Sequence, residues 1–168
     1  EADFATRHGP PPGAGAAVLA LGKMGSREMT ATSDLDLIVI YDAEGADASE
    51  GPRPLAVSTY FARLTQALIA GLSAPMAEGI LYKVDMRLRP SGRQGPVATS
   101  LSGFRTYQAE EAWTWEHLAL TRARVVAGPP ALGARVHDAI AEVLARPHDA
   151  ARVLADAADM RRRLAEAQ

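Results

Sequence analysis

Cysteine is absent from all 168 residues, which rules out a disulfide framework, a thiolate zinc site and thiol catalysis. No apolar run approaches the ~18 residues of a membrane span, and no charged-then-apolar signal segment opens the sequence. A cytoplasmic protein is therefore the expectation. Charge of one sign is not in excess either. Eighteen Lys and Arg stand against twenty Asp and Glu, a net charge of −2, which gives no electrostatic case for general nucleic-acid binding. No His/Asp/Ser arrangement supports a hydrolytic triad. What remains is the 48% hydrophobic, 23% charged composition of a soluble globular chain. Its length allows one ordinary domain, or a compact domain with a helical extension. Chemistry has to come from carboxylates, basic residues and four histidines.

The informative stretch is Gly22-Lys23-Met24-Gly25-Ser26-Arg27-Glu28, read as a loop, followed by Ser33-Asp34-Leu35-Asp36-Leu37-Ile38-Val39-Ile40. Leu35, Leu37 and Val39 alternate with Asp34, Asp36 and Ile38, so the second piece reads as a strand. Residues two apart on a strand share a face, with Cα atoms roughly 6.5–7 Å apart. Asp34 and Asp36 thus aim two carboxylates at one point. Such a pair repels, and a divalent cation removes that cost; Mg²⁺ takes carboxylate oxygens together with substrate phosphates. Upstream, Ala16 to Leu21 reads as a short buried strand entering a glycine-containing turn whose backbone N–H groups can face an anion. The turn is not a Walker loop, because the Gly-x-x-x-x-Gly-Lys-Ser/Thr spacing is missing. A lone Asp-Leu-Asp-Leu is most often a solvated strand edge. A phosphate cradle placed before it gives the layout of a nucleotidyl-transfer site.

Residues 1–15, with His8-Gly9-Pro10-Pro11-Pro12-Gly13, read as a linker. Residues 16–99 read as the catalytic core, with an acidic surface loop over Ala46 to Pro54. Phe61, Leu64, Leu68 and Leu72 form the apolar stripe of a helix, with Ser58 as its expected N-cap and Pro75 as its stop. From Gly79 to Pro90, Tyr82, Val84, Met86 and Leu88 alternate with Lys83, Asp85, Arg87 and Arg89, the pattern of another strand. On its own that pattern is a sheet face with cross-strand ion pairs. Beside the Asp-x-Asp strand, Asp85 supplies the third carboxylate of a two-metal set. Arg87 and Arg89 on the same face would hold a triphosphate or departing pyrophosphate.

Residues 100–168 read as a helical region packed on the core and truncated at its end, with Ser100 as an N-cap. One helix-like run carries Trp113, Trp115, His117, Leu118, Leu120, Arg122, Arg124 and Val126, and Trp113 or Trp115 is expected to be largely buried. A further stripe runs through Val136, Ile140, Val143 and Leu144, and Val153, Leu154, Met160 and Leu164 suggest another. The start at Glu1 and the charged end through Arg161-Arg162-Arg163 lead to the expectation of a fragment of a longer protein.

Three stretches go beyond a generic Asp-x-Asp reading. They are Leu21-Gly-Lys-Met-Gly-Ser-Arg-Glu28 with Ser33-Asp-Leu-Asp-Leu-Ile38, Gly79-Ile-Leu-Tyr-Lys-Val-Asp-Met-Arg-Leu-Arg-Pro-Ser-Gly92, and Ala112-Trp-Thr-Trp-Glu-His117 with Leu120-Thr-Arg-Ala-Arg-Val-Val126. In this order they resemble glutamine synthetase adenylyltransferase, a family of the polymerase-β-like nucleotidyltransferase superfamily. The resemblance runs from about Val18 to Val126. It implies an α/β fold, a mixed sheet flanked by helices, in a large cytoplasmic enzyme with two similar catalytic halves. One half attaches AMP from ATP to a tyrosine of glutamine synthetase, and the other removes it by phosphorolysis. Ala112 to His117 and Arg87 to Gly92 look more like the adenylylating half.

The resemblance further implies that Asp34, Asp36 and Asp85 hold Mg²⁺. Gly22 opens the phosphate turn, in which Gly25 and Ser26 would contact the β- and γ-phosphates; Ser26 stands where many members carry glycine. Lys23, Arg87 and Arg89 would give electrostatic support. Implied partners are glutamine synthetase as protein substrate and a small nitrogen-signalling protein acting through the full-length enzyme, with neither nucleic acid nor membrane. Two alternatives stay open, the deadenylylating half and a non-catalytic module that binds nucleotide or a signalling protein. The complete set of aspartates argues against the second.

Overall fold

The structure, a computed structural model, describes residues 2–75, 77, 79, 82–147 and 149–166. Leu164 of the expected last stripe, and Ile80 and Leu81 of the expected strand, lie outside the described side chains. The architecture is the expected α/β one, a five-stranded mixed sheet with helices on both faces.

Strand β1 (Gly15–Ala20) runs antiparallel to β2 (Leu35–Asp42), from Gly15 opposite Asp42 to Ala20 opposite Leu37. The short helix α2 (Gly22–Ser26) lies between them in sequence. β2 is central: β3 (Val84–Asp85) and β4 (Ala98–Ser100) both pair with it in parallel, at its start and its end. β5 (Arg124–Ala127) pairs antiparallel with β1 and closes the order β3-β2-β1-β5.

Alternation along β1 and β2 gives the sheet two apolar faces. Ala17, Leu19, Ile38 and Ile40 face α4 (Leu101–Glu110) and α6 (Pro130–Leu144), which contribute Phe104, Leu132, Val136, Ala139 and Val143. Val39, with Ala16, Val18 and Tyr41, faces α3 (Val57–Leu72), whose Tyr60 and Phe61 are fully buried. Burying a side chain of this size stabilises by about 1.5–3 kcal/mol, so these stripes are what attach the helices to the sheet. The Tyr41 and Phe61 rings stack with centroids 4.4 Å apart. Ser100 caps α4 as expected, its hydroxyl accepting from the Gly103 N–H at 3.0 Å.

Several sequence expectations change. The linker expected over residues 1–15 is helical over α1 (Ala2–His8) and docked, with Phe4 edge-on to Tyr60 and the Tyr60 hydroxyl donating to the Gly9 carbonyl at 3.0 Å. α3 begins at Val57 after Ala56, so Ser58 lies inside its first turn and is not its cap. The single helix expected through Trp113 and Val126 is α5 (Thr114–Leu120) followed by β5, so the region after residue 100 contributes a strand to the sheet. Trp113 is 69% exposed and Trp115 39%, so neither is buried as expected. The inward position belongs to Glu116, 6% exposed, which accepts from the Tyr107 hydroxyl at 2.9 Å and from the Trp113 N–H at 3.0 Å. α7 (Ala150–Glu166) follows the break at Pro147 and contacts α5.

Gly71, one residue from the end of α3, has open space where a Cβ would stand. Gly71→Ala should therefore stabilise the chain by about 0.4–1 kcal/mol, because alanine restricts the unfolded chain at no steric cost to the helix. A thermal melt should show a midpoint higher by roughly 1–4 °C.

Candidate active site

The turn between β1 and β2 is a five-residue helix, α2, and not the loop expected from its glycines. It ends at Arg27 in the left-handed conformation, with the Glu28 N–H returning to the Lys23 carbonyl at 2.8 Å. At its start Gly22 has φ +51°, and a Cβ there would stand 2.3 Å from Asp36 Oδ2. The Leu21 N–H donates to the Asp36 carbonyl at 2.9 Å. Backbone and side chain of Asp36 are thus both pressed against the mouth of the turn. Only glycine allows that approach.

Asp36 lies in β2 directly opposite Asp85 in β3, as the adjacency of the two acidic segments requires. Asp34 is exposed in the residues leading into β2. Burial, then repulsion from Asp85 and Asp34, hold the Asp36 pKa above its ordinary value. Asp85 goes the other way. Its carboxylate accepts from Arg87 Nε at 2.7 Å and from the Arg87 backbone N–H at 2.8 Å, and these bonds hold its pKa down. Arg87 also feels Asp34 and Asp36. Arg87 thus acts on all three carboxylates at this strand end, and Arg93 adds to the pull on Asp85.

The profile of the glutamate-ammonia ligase adenylyltransferase family matches residues 3–139. The chain belongs to this family. It is 57% identical over 166 residues to the bifunctional glutamine synthetase adenylyltransferase/adenylyl-removing enzyme of Xanthobacter autotrophicus, an alignment covering 98% of this chain and 17% of that protein. The proteins of the same name from Mesorhizobium japonicum and Brucella suis are each 55% identical, over 95% and 99% of this chain and 16% and 17% of theirs. The chain therefore spans about a sixth of the length of the curated relatives it matches.

Within this member of the glutamate-ammonia ligase adenylyltransferase family, the site residues separate into two groups. Gly22, Asp36, Asp85 and Arg87 come together, with Asp34 at the edge of the cluster. As they stand, no three carboxylate or imidazole groups among the described residues converge well enough to ligate a single ion. The expected focus of carboxylates on one point is therefore incomplete, and Arg87 is the group that holds Asp85.

The second group is structural or peripheral. Gly25 is buried and its N–H donates to the Leu21 carbonyl at 2.8 Å, so it is not free for the phosphate contact expected of it. The Ser26 hydroxyl lies within reach of two acceptors for its one proton, Glu28 Oε2 at 2.8 Å and the Gly22 carbonyl at 3.1 Å. Lys23 is exposed on the turn. Arg89 does not share the site with Arg87. It donates to the carbonyls of Met86 at 2.8 Å and Pro96 at 3.1 Å, which ties down the loop after Pro90 and its 3₁₀ turn Gly92–Gln94.

The divergence of the two arginines has a local cause. Asp85 accepts from the N–H two residues ahead, an Asx turn, and this ends β3 after two residues, where the alternating pattern had extended the strand to Pro90. An apolar cavity of about 670 Å³ between β1 and α3 lies on the side of the sheet away from Asp36 and takes no part in the acidic cluster.

Proposed function

We propose that this chain carries a Mg²⁺-dependent adenylyl-transfer centre that moves AMP from ATP to a tyrosine hydroxyl of glutamine synthetase and releases pyrophosphate. The observation that carries the reading is the meeting of Asp36 and Asp85 on paired strands with Gly22 of the α2 turn against the Asp36 carboxylate. Asp85 is paired with Arg87, but Asp36, half-buried and crowded by Asp85 and Asp34, gains nothing for stability from its charge. The same set of hard oxygen donors suits a divalent cation that also binds phosphate.

Asp34, Asp36 and Asp85 would hold the metal, Asp85 on release from Arg87. When bound, the metal neutralises triphosphate charge and lowers the pKa of the acceptor hydroxyl. The mouth of the α2 turn at Gly22, with Lys23 at its exposed edge, would receive the triphosphate, while Gly25 and Ser26 hold the turn together. Arg87, whose side chain is 65% exposed, is placed to exchange Asp85 for the negative charge that builds on the leaving pyrophosphate. The tyrosine oxygen attacks the α-phosphorus in line, the bond to the pyrophosphate oxygen breaks, and the phenolic proton passes to solvent or a carboxylate of the cluster.

The direction of transfer is proposed from the resemblance of Ala112 to His117 and Arg87 to Gly92 to the adenylylating half. The test supplies α-labelled ATP and glutamine synthetase in one tube, and adenylylated glutamine synthetase with orthophosphate in another. Label appearing on a glutamine synthetase tyrosine supports the proposal. Loss of AMP from the tyrosine in the second tube, without labelling in the first, would assign the chain to the removing reaction.

A further inference from the structure

The α2 turn is gripped from behind by a side chain that lies about a hundred residues further along the chain. Arg124, first residue of β5, donates from Nη2 to the Met24 carbonyl at 2.9 Å and from Nε to the Gly25 carbonyl at 3.2 Å. Arg124 and Leu37 both lie opposite Ala20 across β1, so they share one face of the sheet, and Asp36 faces the other. The backbone of the same segment closes in as well. A Cβ on Gly25 would stand 2.0 Å from the Arg122 carbonyl oxygen. The turn is therefore fixed on two sides, by Asp36 at Gly22 and by the Arg122–Arg124 segment at Met24 and Gly25.

Such a brace is needed because the turn is too short to hold itself. A five-residue helix has the full nucleation cost and almost none of the return from propagation. Its last carbonyls carry partial negative charge, which a cation there offsets. A guanidinium fork bonds two carbonyls at once in a fixed geometry that an ammonium group cannot copy.

We propose that Arg124 is a positioning residue for nucleotide binding: it fixes the α2 turn in the conformation that receives the triphosphate. The proposal rests on the adenylyl-transfer reading above, and Arg124 would act through the Met24 and Gly25 carbonyls.

The test compares the unsubstituted chain with Arg124→Met and Arg124→Lys. ATP with Mg²⁺ is titrated calorimetrically, and hydrogen exchange is followed at the amides of Gly22 to Arg27. Arg124→Met should weaken ATP binding about tenfold or more, the scale of one hydrogen bond from a charged donor. The number of binding-competent sites should stay near one, exchange should quicken at the turn but not in β1 or β2, and Arg124→Lys should fall between the other two. A general structural role predicts something else: fewer competent sites at unchanged affinity, with faster exchange across the sheet. That outcome, or unchanged ATP affinity in Arg124→Met, overturns the role. Failure of the unsubstituted chain to bind ATP would instead count against the adenylyl-transfer reading. The exchange data would then decide the brace by themselves, unchanged exchange at the turn in Arg124→Met refuting it.

Discussion

The Asp36→Asn chain is expected to lose AMP transfer by at least about 10²–10³-fold, the cost of removing one preorganised electrostatic group from a site of this kind. The same chain should be more stable than the original in metal-free buffer. Asp36 is half-buried and crowded by Asp85 and Asp34, and its pKa is raised by burial and by that repulsion. A raised carboxylate pKa means that the folded state favours the protonated form. Its contribution to stability is greatest below the ordinary value of 3.8 and is lost as pH rises and the group ionises.

At neutral pH the ionised Asp36 is therefore a burden, which asparagine lifts while keeping the shape. The gain should appear as a higher midpoint of thermal unfolding at neutral pH in metal-free buffer. The gain should shrink as pH falls through the raised pKa, since the original carboxylate then becomes neutral too. Thermal melts with and without Mg²⁺ check the pairing. Mg²⁺ should raise the midpoint of the original chain by mass action and leave that of Asp36→Asn almost unmoved. A group that destabilises the fold and is needed for transfer is the signature of a functional site.

Gly25→Ala should strongly impair folding. A Cβ there would meet the Arg122 carbonyl oxygen at 2.0 Å and the Ala20 carbonyl oxygen at 2.9 Å, both of them backbone atoms that cannot swing away as a side chain would. Either α2 must leave its seat or β5 must separate from β1. The expected cost is about 3 kcal/mol, at the upper end of ordinary overpacking. The displaced turn would also lose both bonds from Arg124, so ATP binding should fall along with stability. Chemical denaturation with urea measures the first effect and calorimetric titration the second. The contrast with Gly71→Ala is the internal control, because the same methyl group is added where nothing opposes it.

Much of the fold was legible in local patterns. A short apolar run predicted β1, alternation predicted β2, a stripe at helical spacing predicted α3 and α6, and the need to bring Asp85 to the other two carboxylates predicted that the acidic strands are neighbours. The misreadings came where a side chain overrode a period. Asp85 bonds to the backbone of Arg87 and turns the chain, so the residues after it left the strand that their alternation described. Glu116 turns inward because Tyr107 and the Trp113 N–H satisfy it, leaving both tryptophans to the surface.

β5 was hidden in a run whose apolar residues also suit a helix. The adjacent β-branched pair Val125 and Val126 just before Gly128-Pro129 was the available signal for a strand. The grip of Arg124 on Met24 and Gly25 could not be read from the sequence at all, because it depends on β5 pairing with β1 across about a hundred residues.

The measurement that bears most directly on the Asp36 and Asp85 centre is single-turnover transfer of labelled AMP from ATP to glutamine synthetase. It is run with Mg²⁺, with the metal chelated, and with the Asp36→Asn chain, whose folding is verified by its melt. The acidic centre predicts label on glutamine synthetase only from the original chain and only with Mg²⁺ present. Transfer by Asp36→Asn at the original rate, or transfer that persists without the metal, would contradict it.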